Sequence, residues 1–181
     1  MAYSHTTRAN GLTLTHTIYN ADHENHITRD TLQTGYIRLH DSKATTTDGG
    51  TFTQDAWQKR TVTEDQDTQN FSTVTSSVIV LTAGTYDCLI RCPGKQCANH
   101  QAKLENTTSG SPVLIGGNTE AVVNNASTSH SVIQGRFTIT ASQNLEIQHR
   151  CSSTKATTGF GEANSFGENE IYTVAEFWRI D

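Results

Sequence analysis

An all-β sandwich or barrel is the fold class this sequence predicts, on three observations. Short apolar runs recur along the chain and are separated by turn residues. Within several runs apolar and polar residues alternate with a period of two. Hydrophobic residues make up 34% and charged residues 17%, and Thr, Ser, Asn, Gln and Gly dominate the remainder. That composition suits short strands with polar outer faces and many turns. With 181 residues the chain is long enough for one full-size domain and a small extension.

The first 30 residues differ from the rest: Leu12, Leu14, Ile18 and Ile27 are scattered among Thr, His and Asn. Thr17–Ile27 reads as a short helix whose apolar positions 18, 19 and 27 form a thin stripe. Such a stripe buries little by itself and needs a partner. Residues 41–56, with Ala44-Thr45-Thr46-Thr47-Asp48-Gly49-Gly50, read as a link. Strands are then expected over Ala56–Thr63, Ser77–Thr82 and, after an Ala83-Gly84 turn, Thr85–Cys92. A turn at Pro93-Gly94-Lys95-Gln96 leads into Ala98–Asn106, and a short strand covers Val113–Ile115. Ser131–Ala141 and Asn144–Cys151 read as a hairpin across Ser142-Gln143, and Ile171–Ile180 closes the chain.

Most of these strands are amphipathic. Ile133, Gly135, Phe137 and Ile139 face one way and Gln134, Arg136 and Thr138 the other; Tyr86, Cys88, Ile90 and Cys92 oppose Asp87 and Arg91. The last strand breaks the pattern. Ala175 and Phe177 fall on one face, yet Tyr172, Val174, Trp178 and Ile180 on the other are apolar too. A strand apolar on both faces is covered on both. One cover is the core; the other is a symmetric oligomer interface, anchored by Tyr172 and Trp178, or a loop of the same subunit over Trp178.

Composition and motifs narrow the function classes. The net charge is −5 with His neutral, and the densest basic stretch is Lys59-Arg60, which argues against a nucleic-acid partner. No apolar run approaches the ~20 residues of a membrane span, and no signal peptide is visible, so a soluble protein made in a cytoplasm is expected. Cys88, Cys92, Cys97 and Cys151 then read as buried, reduced thiols. A Cys92–Cys97 disulfide after lysis, or a metal clip with His100, is the alternative. No G-x-S-x-G, H-E-x-x-H, Walker loop or C-x-x-C occurs, so no catalytic site is expected. His23 and His26, beside Asp22 and Glu24, could share a metal if helical; hydrogen bonding is the simpler role.

The most informative loop is 154–170, which carries Phe160, Glu162, Asn164, Phe166 and Glu168 among several glycines. A loop of this length inside a compact domain is often functional. Aromatic faces beside amides and carboxylates suit carbohydrate recognition, or Ca²⁺ held by oxygen ligands, although no cofactor is assigned. Alternatively, Phe160 and Phe166 pin the loop onto the end of the sandwich. Asn99, His100, Gln101, Lys103 and residues 120–125 are weaker polar candidates.

Ala83-Gly84-Thr85-Tyr86 before a strand resembles the A-G-x-Y element of the C1q/TNF-like jelly-roll superfamily. The run from Gly135-Arg136-Phe137-Thr138-Ile139 through Leu145–Cys151, Gly159-Phe160-Gly161 and Phe166-Gly167 to Glu170–Trp178 is similar to the C-terminal knobs of phage tail-fibre and head-fibre proteins. Ile18-Tyr19-Asn20-Ala21-Asp22-His23-Glu24-Asn25-His26-Ile27 resembles the short N-terminal segment by which phage structural proteins dock fibres. The resemblance implies a jelly-roll knob over 56–181, a linker over 41–55 and a virion-attachment segment over 1–40, the last using Ile18, Tyr19, Asn20, Asp22, His23 and His26. It also implies a homotrimer, carried on a phage or phage-like virion assembled in a bacterial cytoplasm. No collagen-like repeat or heptad run forms a stem. Three functions follow for comparison: adsorption to a host-surface polysaccharide, structural decoration of capsid or baseplate, and polysaccharide cleavage. The last is disfavoured because the chain is short for a long β-helix carrying a carboxylate pair.

Overall fold

The computed structural model describes residues 35–180, which form twelve strands and no helix. In chain order these are β1 (Tyr36–Lys43), β2 (Gln58–Lys59), β3 (Thr63–Asp67), β4 (Ser72–Thr75), β5 (Val78–Leu81) and β6 (Gly84–Lys95), then β7 (Ala98–Asn106), β8 (Ser111–Ile115), β9 (Thr119–Ala121), β10 (Thr128–Ile139), β11 (Gln143–Cys151) and β12 (Glu170–Arg179). They build two antiparallel sheets. One runs β10-β6-β12-β1-β3; the other runs β4-β5-β11-β7-β8, with β2 added to β11 and β9 to β7.

The period-two alternation places the core. Tyr86, Cys88, Ile90 and Cys92 of β6 turn inward with Ile133, Phe137 and Ile139 of β10 and Ala175 and Phe177 of β12. They meet Ile79, Leu81, Ala102, Leu104, Leu145 and Ile147 of the other sheet. The aligned inner faces make one dry layer between the sheets. Tyr86 stays there because its hydroxyl donates to the Thr82 carbonyl at 2.8 Å.

Several expectations need correction. β1 lies between β12 and β3, with Tyr36 opposite Trp178 and Leu39 opposite Ala175, so the sandwich begins ahead of residue 56 and within the segment read as 1–40. Its inward Ile37 and Leu39 are two apolar residues among polar ones, too few to signal a strand. Residues 41–55 are not a free linker. Gly49 and Gly50 donate to the Gly161 and Thr157 carbonyls at 2.9 and 2.8 Å, and Phe52 is fully buried. The expected hairpin is also wrong. β10 pairs with β6 whereas β11 pairs with β7, so the chain crosses from one sheet to the other at residues 140–142. Two amphipathic strands look alike whether they pair edge to edge or face each other across a core. Pro93 and Gly94 continue β6, opposite His130 and Ser129; the turn falls one step later, where Gln96 and Ala98 have φ of 47° and 57°. Pairing of β6 with β12 stops at Arg91–Val174, which leaves Pro93 outside that ladder. The segment 17–27 and its Ile18, Tyr19, Asn20, Asp22, His23 and His26 lie outside the described residues.

A second, smaller cluster sits at one end of the sandwich. Phe52, Cys97, Ala121 and Cys151 are its buried members, with Phe160 packed against them. Arg60, His100 and His149 border it, each at most 3% exposed. All four cysteines are free and buried. Burial pushes the thiols of Cys92 and Cys151 up to about 11 and those of Cys88 and Cys97 up to about 12, which suppresses thiolate chemistry.

Candidate functional site

Of the five loop residues singled out from the sequence, Asn164, Phe166, Glu162 and Glu168 line one open cleft of 520 Å³. Its other walls include Pro93 at the end of β6, His130 at the start of β10, and Ile171 and Tyr172 at the start of β12. Phe166 is 86% exposed at its rim. Phe160 does not line it, which corrects its candidacy. Its ring packs 4.6 Å from that of Phe52 and lies under the Arg60 guanidinium at 4.0 Å. It therefore pins the loop to the second cluster, as one reading of the sequence allowed.

The loop is shaped by carboxylates turned back onto the chain. Glu170 is buried, and its side chain accepts from the backbone N–H of Asn164 at 3.0 Å, Ser165 at 2.8 Å and Thr46 at 3.3 Å. These bonds, that from Asn164 foremost, hold its carboxyl below the usual range. Asp48 Oδ1 accepts from the Ala163 N–H at 3.0 Å. Glu162 forms an ion pair with the buried Lys95 and is not a free ligand group. Glu170, Lys95 and Asp48 were missed in the sequence, because nothing local distinguishes a carboxylate that caps backbone amides from one that faces water. Among the described residues no group of three His, Cys, Asp or Glu is placed to hold a metal ion.

The face outward from the five-stranded sheet carries the expected interface residues. Tyr172 is the exception and is corrected here: it is 7% exposed and covered by its own chain. Its hydroxyl donates to the Thr47 carbonyl at 2.7 Å, and burial pushes it up to about 12. Gly161, at φ 132°, lies under the ring, where an added Cβ would stand 2.2 Å from Tyr172 Cδ1; only glycine fits. Val174, Trp178 and Ile180 are half-buried. Trp178 also leans on Tyr36, with ring centroids 5.6 Å apart, so part of its cover is internal. Around them, Tyr36 donates to Glu176 at 2.7 Å and Arg136 pairs with both oxygens of Asp87 at 2.8 Å.

Among the weaker candidates, His100 is buried, not a surface group. Ser129 Oγ donates to the Glu120 carbonyl at 2.8 Å, so it accepts from His100 Nε2–H, also at 2.8 Å. His100 Nδ1 must then accept from His149 Nε2–H at 2.9 Å, which leaves His149 Nδ1 a buried acceptor with no partner among the described residues. Burial first, then the nearby Arg60, pushes His100 down to about 4 and His149 well below its ordinary value, so both rings are neutral.

No protein-family model matches the chain, and no curated protein does. Solved structures do match. Murine APRIL at pH 5.0 aligns with a TM-score of 0.52 at 6% identity, covering 81% of this chain and 98% of that one. The globular domain of zebrafish complement 1qA protein aligns at 0.45 and 10%, covering 82% and 98%. The PRD1 vertex protein P5 aligns at 0.44 and 12%, covering 81% and 97%. The fold is a jelly-roll β-sandwich like that of APRIL. At such identities the likeness extends to the fold alone, and function has to be argued from the site.

Proposed function

We propose that this jelly roll is a homotrimeric knob on the surface of a phage or phage-like virion, held by the segment ahead of β1 and binding host-surface polysaccharide during adsorption. The observation that carries the binding role is the convergence of Asn164, Phe166 and Glu168 with His130 in one open cleft. An exposed aromatic beside amide and carboxylate groups suits a sugar, which offers both an apolar face and hydroxyls. The outward face of the five-stranded sheet supports the trimer: Val174, Trp178 and Ile180 lie half-buried there with Leu89 beside them. Decoration or cementing of the particle is the second reading. It is favoured by one feature: the cleft reaches Tyr172, in the same row of β12 as Val174 and Trp178, so it lies beside the face assigned to the trimer.

Light scattering on the full chain should give three times 19.8 kDa, and Trp178→Asp, which would bury a charge in the interface, should give monomer. An intact trimer from that variant removes Trp178 from the interface. Purified knob should bind cells of the host on which the particle grows. If particles stripped of it keep their infectivity but lose capsid stability, decoration is the function.

A further inference from the structure

The opposite sheet carries a second concave surface. A shallow groove of 680 Å³ runs across the outward side of β7 and β11, and Trp57, Asn99, Gln101, Asn118, Glu120 and Arg150 help line it. Its volume falls within the ~300–1,000 Å³ usual for small-ligand sites. Trp57 is 38% exposed there.

We propose that this groove is a binding site for a short neutral oligosaccharide, with Trp57 as the stacking platform. The proposal rests on the glycan-binding reading above and relocates its principal contact. Three features favour a neutral sugar over other ligands. Lys103 Nζ, from outside the groove lining, already lies 4.5 Å over the Trp57 ring, so the ring's affinity for a cation is used within the chain. Arg150 and Asp55 face each other at 3.6 Å, which leaves Glu120 as the unbalanced charge of the lining and disfavours an acidic ligand. Of the remaining lining, Asn99, Gln101, Asn118, Thr119 and Ser152 offer amides and hydroxyls suited to sugar hydroxyls, beside the neutral His100 and the Cys151 thiol. Gln101 is held ready by its Nε2 bond to the Gly116 carbonyl at 2.9 Å.

The platform is also preorganised. Gln54 bridges to Cys151, Asp55 donates its N–H to the Cys151 carbonyl at 2.9 Å, and Gln58 Oε1 accepts the Thr53 N–H at 2.6 Å. Asp55 itself sits at φ 62°, a left-handed turn conformation that aspartate tolerates better than most residues. A ligand therefore meets a ring whose ordering cost has been met by folding. The groove belongs to the other sheet from the face that carries Val174 and Trp178.

The chain has two tryptophans, so in Trp178→Phe the indole emission reports Trp57 alone. Titration of that full-length variant with cellobiose, N,N′-diacetylchitobiose and maltotriose should give a saturable shift of the emission with at least one of them. The sialylated trisaccharide sialyllactose should bind more weakly. Calorimetry on the otherwise native chain should show that Trp57→Ala, with unchanged circular dichroism, weakens the responsive sugar at least tenfold. If a sugar binds but Trp57 emission stays fixed and Trp57→Ala binds as well as the native chain, the groove is not the site, while glycan recognition through the other cleft survives. If none of the neutral sugars binds the native chain saturably, the groove proposal falls, whereas failure of the purified knob to bind host cells removes the glycan-binding reading itself.

Discussion

The sandwich has two interiors that are built on different principles. The main core is a layer of Ile, Leu, Val, Cys and aromatic side chains with the Tyr86 hydroxyl as its chief polar handle. The end cluster around Phe52 is half polar. It encloses a fully buried arginine that, among the described residues, has no carboxylate within bonding distance. Arg60 donates instead to Thr173 Oγ1 at 2.7 Å and to the carbonyls of Pro93 and Phe160 at 3.4 and 3.3 Å, and Asp41 attracts it only from further away. Beside it the two neutral histidines leave one ring nitrogen unpaired. The main core holds strands together by area removed from water. The end cluster holds loops in place by directed bonds, and those loops make both candidate binding surfaces.

The largest expected effect separates the two interiors by what is lost with stability. Phe52→Ala should cost about 3–5 kcal/mol, near the top of the range for large-to-small changes. Leu145→Ala in the main core should cost about 2–5 kcal/mol. The contrast lies in function. Phe52 packs on Phe160 and His149, and its backbone exchanges both bonds with Lys155. Its loss should weaken sugar binding under conditions where the variant is still folded, whereas Leu145→Ala should leave binding by the folded fraction unchanged. Chemical denaturation paired with calorimetry below the transition checks both. Equal loss of binding in the two variants would erase the distinction.

This difference also explains what could be read in the sequence. Amphipathic β6, β7, β10 and β11 were legible, and β7 was bounded correctly at Ala98–Asn106, because each buries one face against one continuous apolar layer; β12 was legible as a strand apolar on both faces. β1, β3, β4 and β9 were not legible, and of the strand expected over Ala56–Thr63 only Gln58–Lys59 and Thr63 lie in strands. These strands are short or carry few apolar residues, and their place is fixed by neighbours distant in sequence, as when Tyr36 meets Trp178. His149 shows the limit most clearly. It occupies an inward position in the same row as Leu145, Ile147 and Cys151, yet its polarity concealed the burial. Four of five loop residues were brought together in one cleft, but the carboxylate that shapes it, Glu170, spends its charge on backbone amides that no motif marks.

Acid should break the end cluster before the main core. His100 titrates near 4 in the fold against about 6.5 when unfolded, so the fold favours the neutral ring. The unfolded chain therefore binds more protons between these values, and stability falls as pH drops through that window. Stability from this residue is fully present above about pH 6.5, and about 2 kcal/mol of it should be gone at pH 5. Arg60 and His130 face His100 and act in the same sense, since each adds positive charge that resists protonation. Melting temperatures at pH 7 and pH 5 should differ clearly in the native chain and less in His100→Gln; the remainder comes from His149, which burial also holds neutral, so His100→Gln with His149→Gln should flatten it further. A native chain with equal melting temperatures at both would show that the pair is hydrated.

The smallest effect is expected at Glu170, and it should be local. Its carboxylate collects N–H bonds from Thr46, Asn164 and Ser165, joining the start of β12 to the cleft loop. Glu170→Gln keeps the shape and an acceptor oxygen but removes the charge that strengthens those bonds, and it turns one acceptor into a donor facing an N–H. Amide exchange at Asn164 and Ser165 should quicken, while exchange at Ile90 and Ile133 in the main core stays slow. The sign with pH follows from the lowered carboxyl: the bonds are intact above the usual carboxylate range and are lost as pH falls through the lower value in the fold. Because Phe166 and Asn164 ride on this loop, a sugar held by the cleft should leave faster from Glu170→Gln, whereas one held on Trp57 should not. The same variant therefore tests which of the two surfaces does the binding.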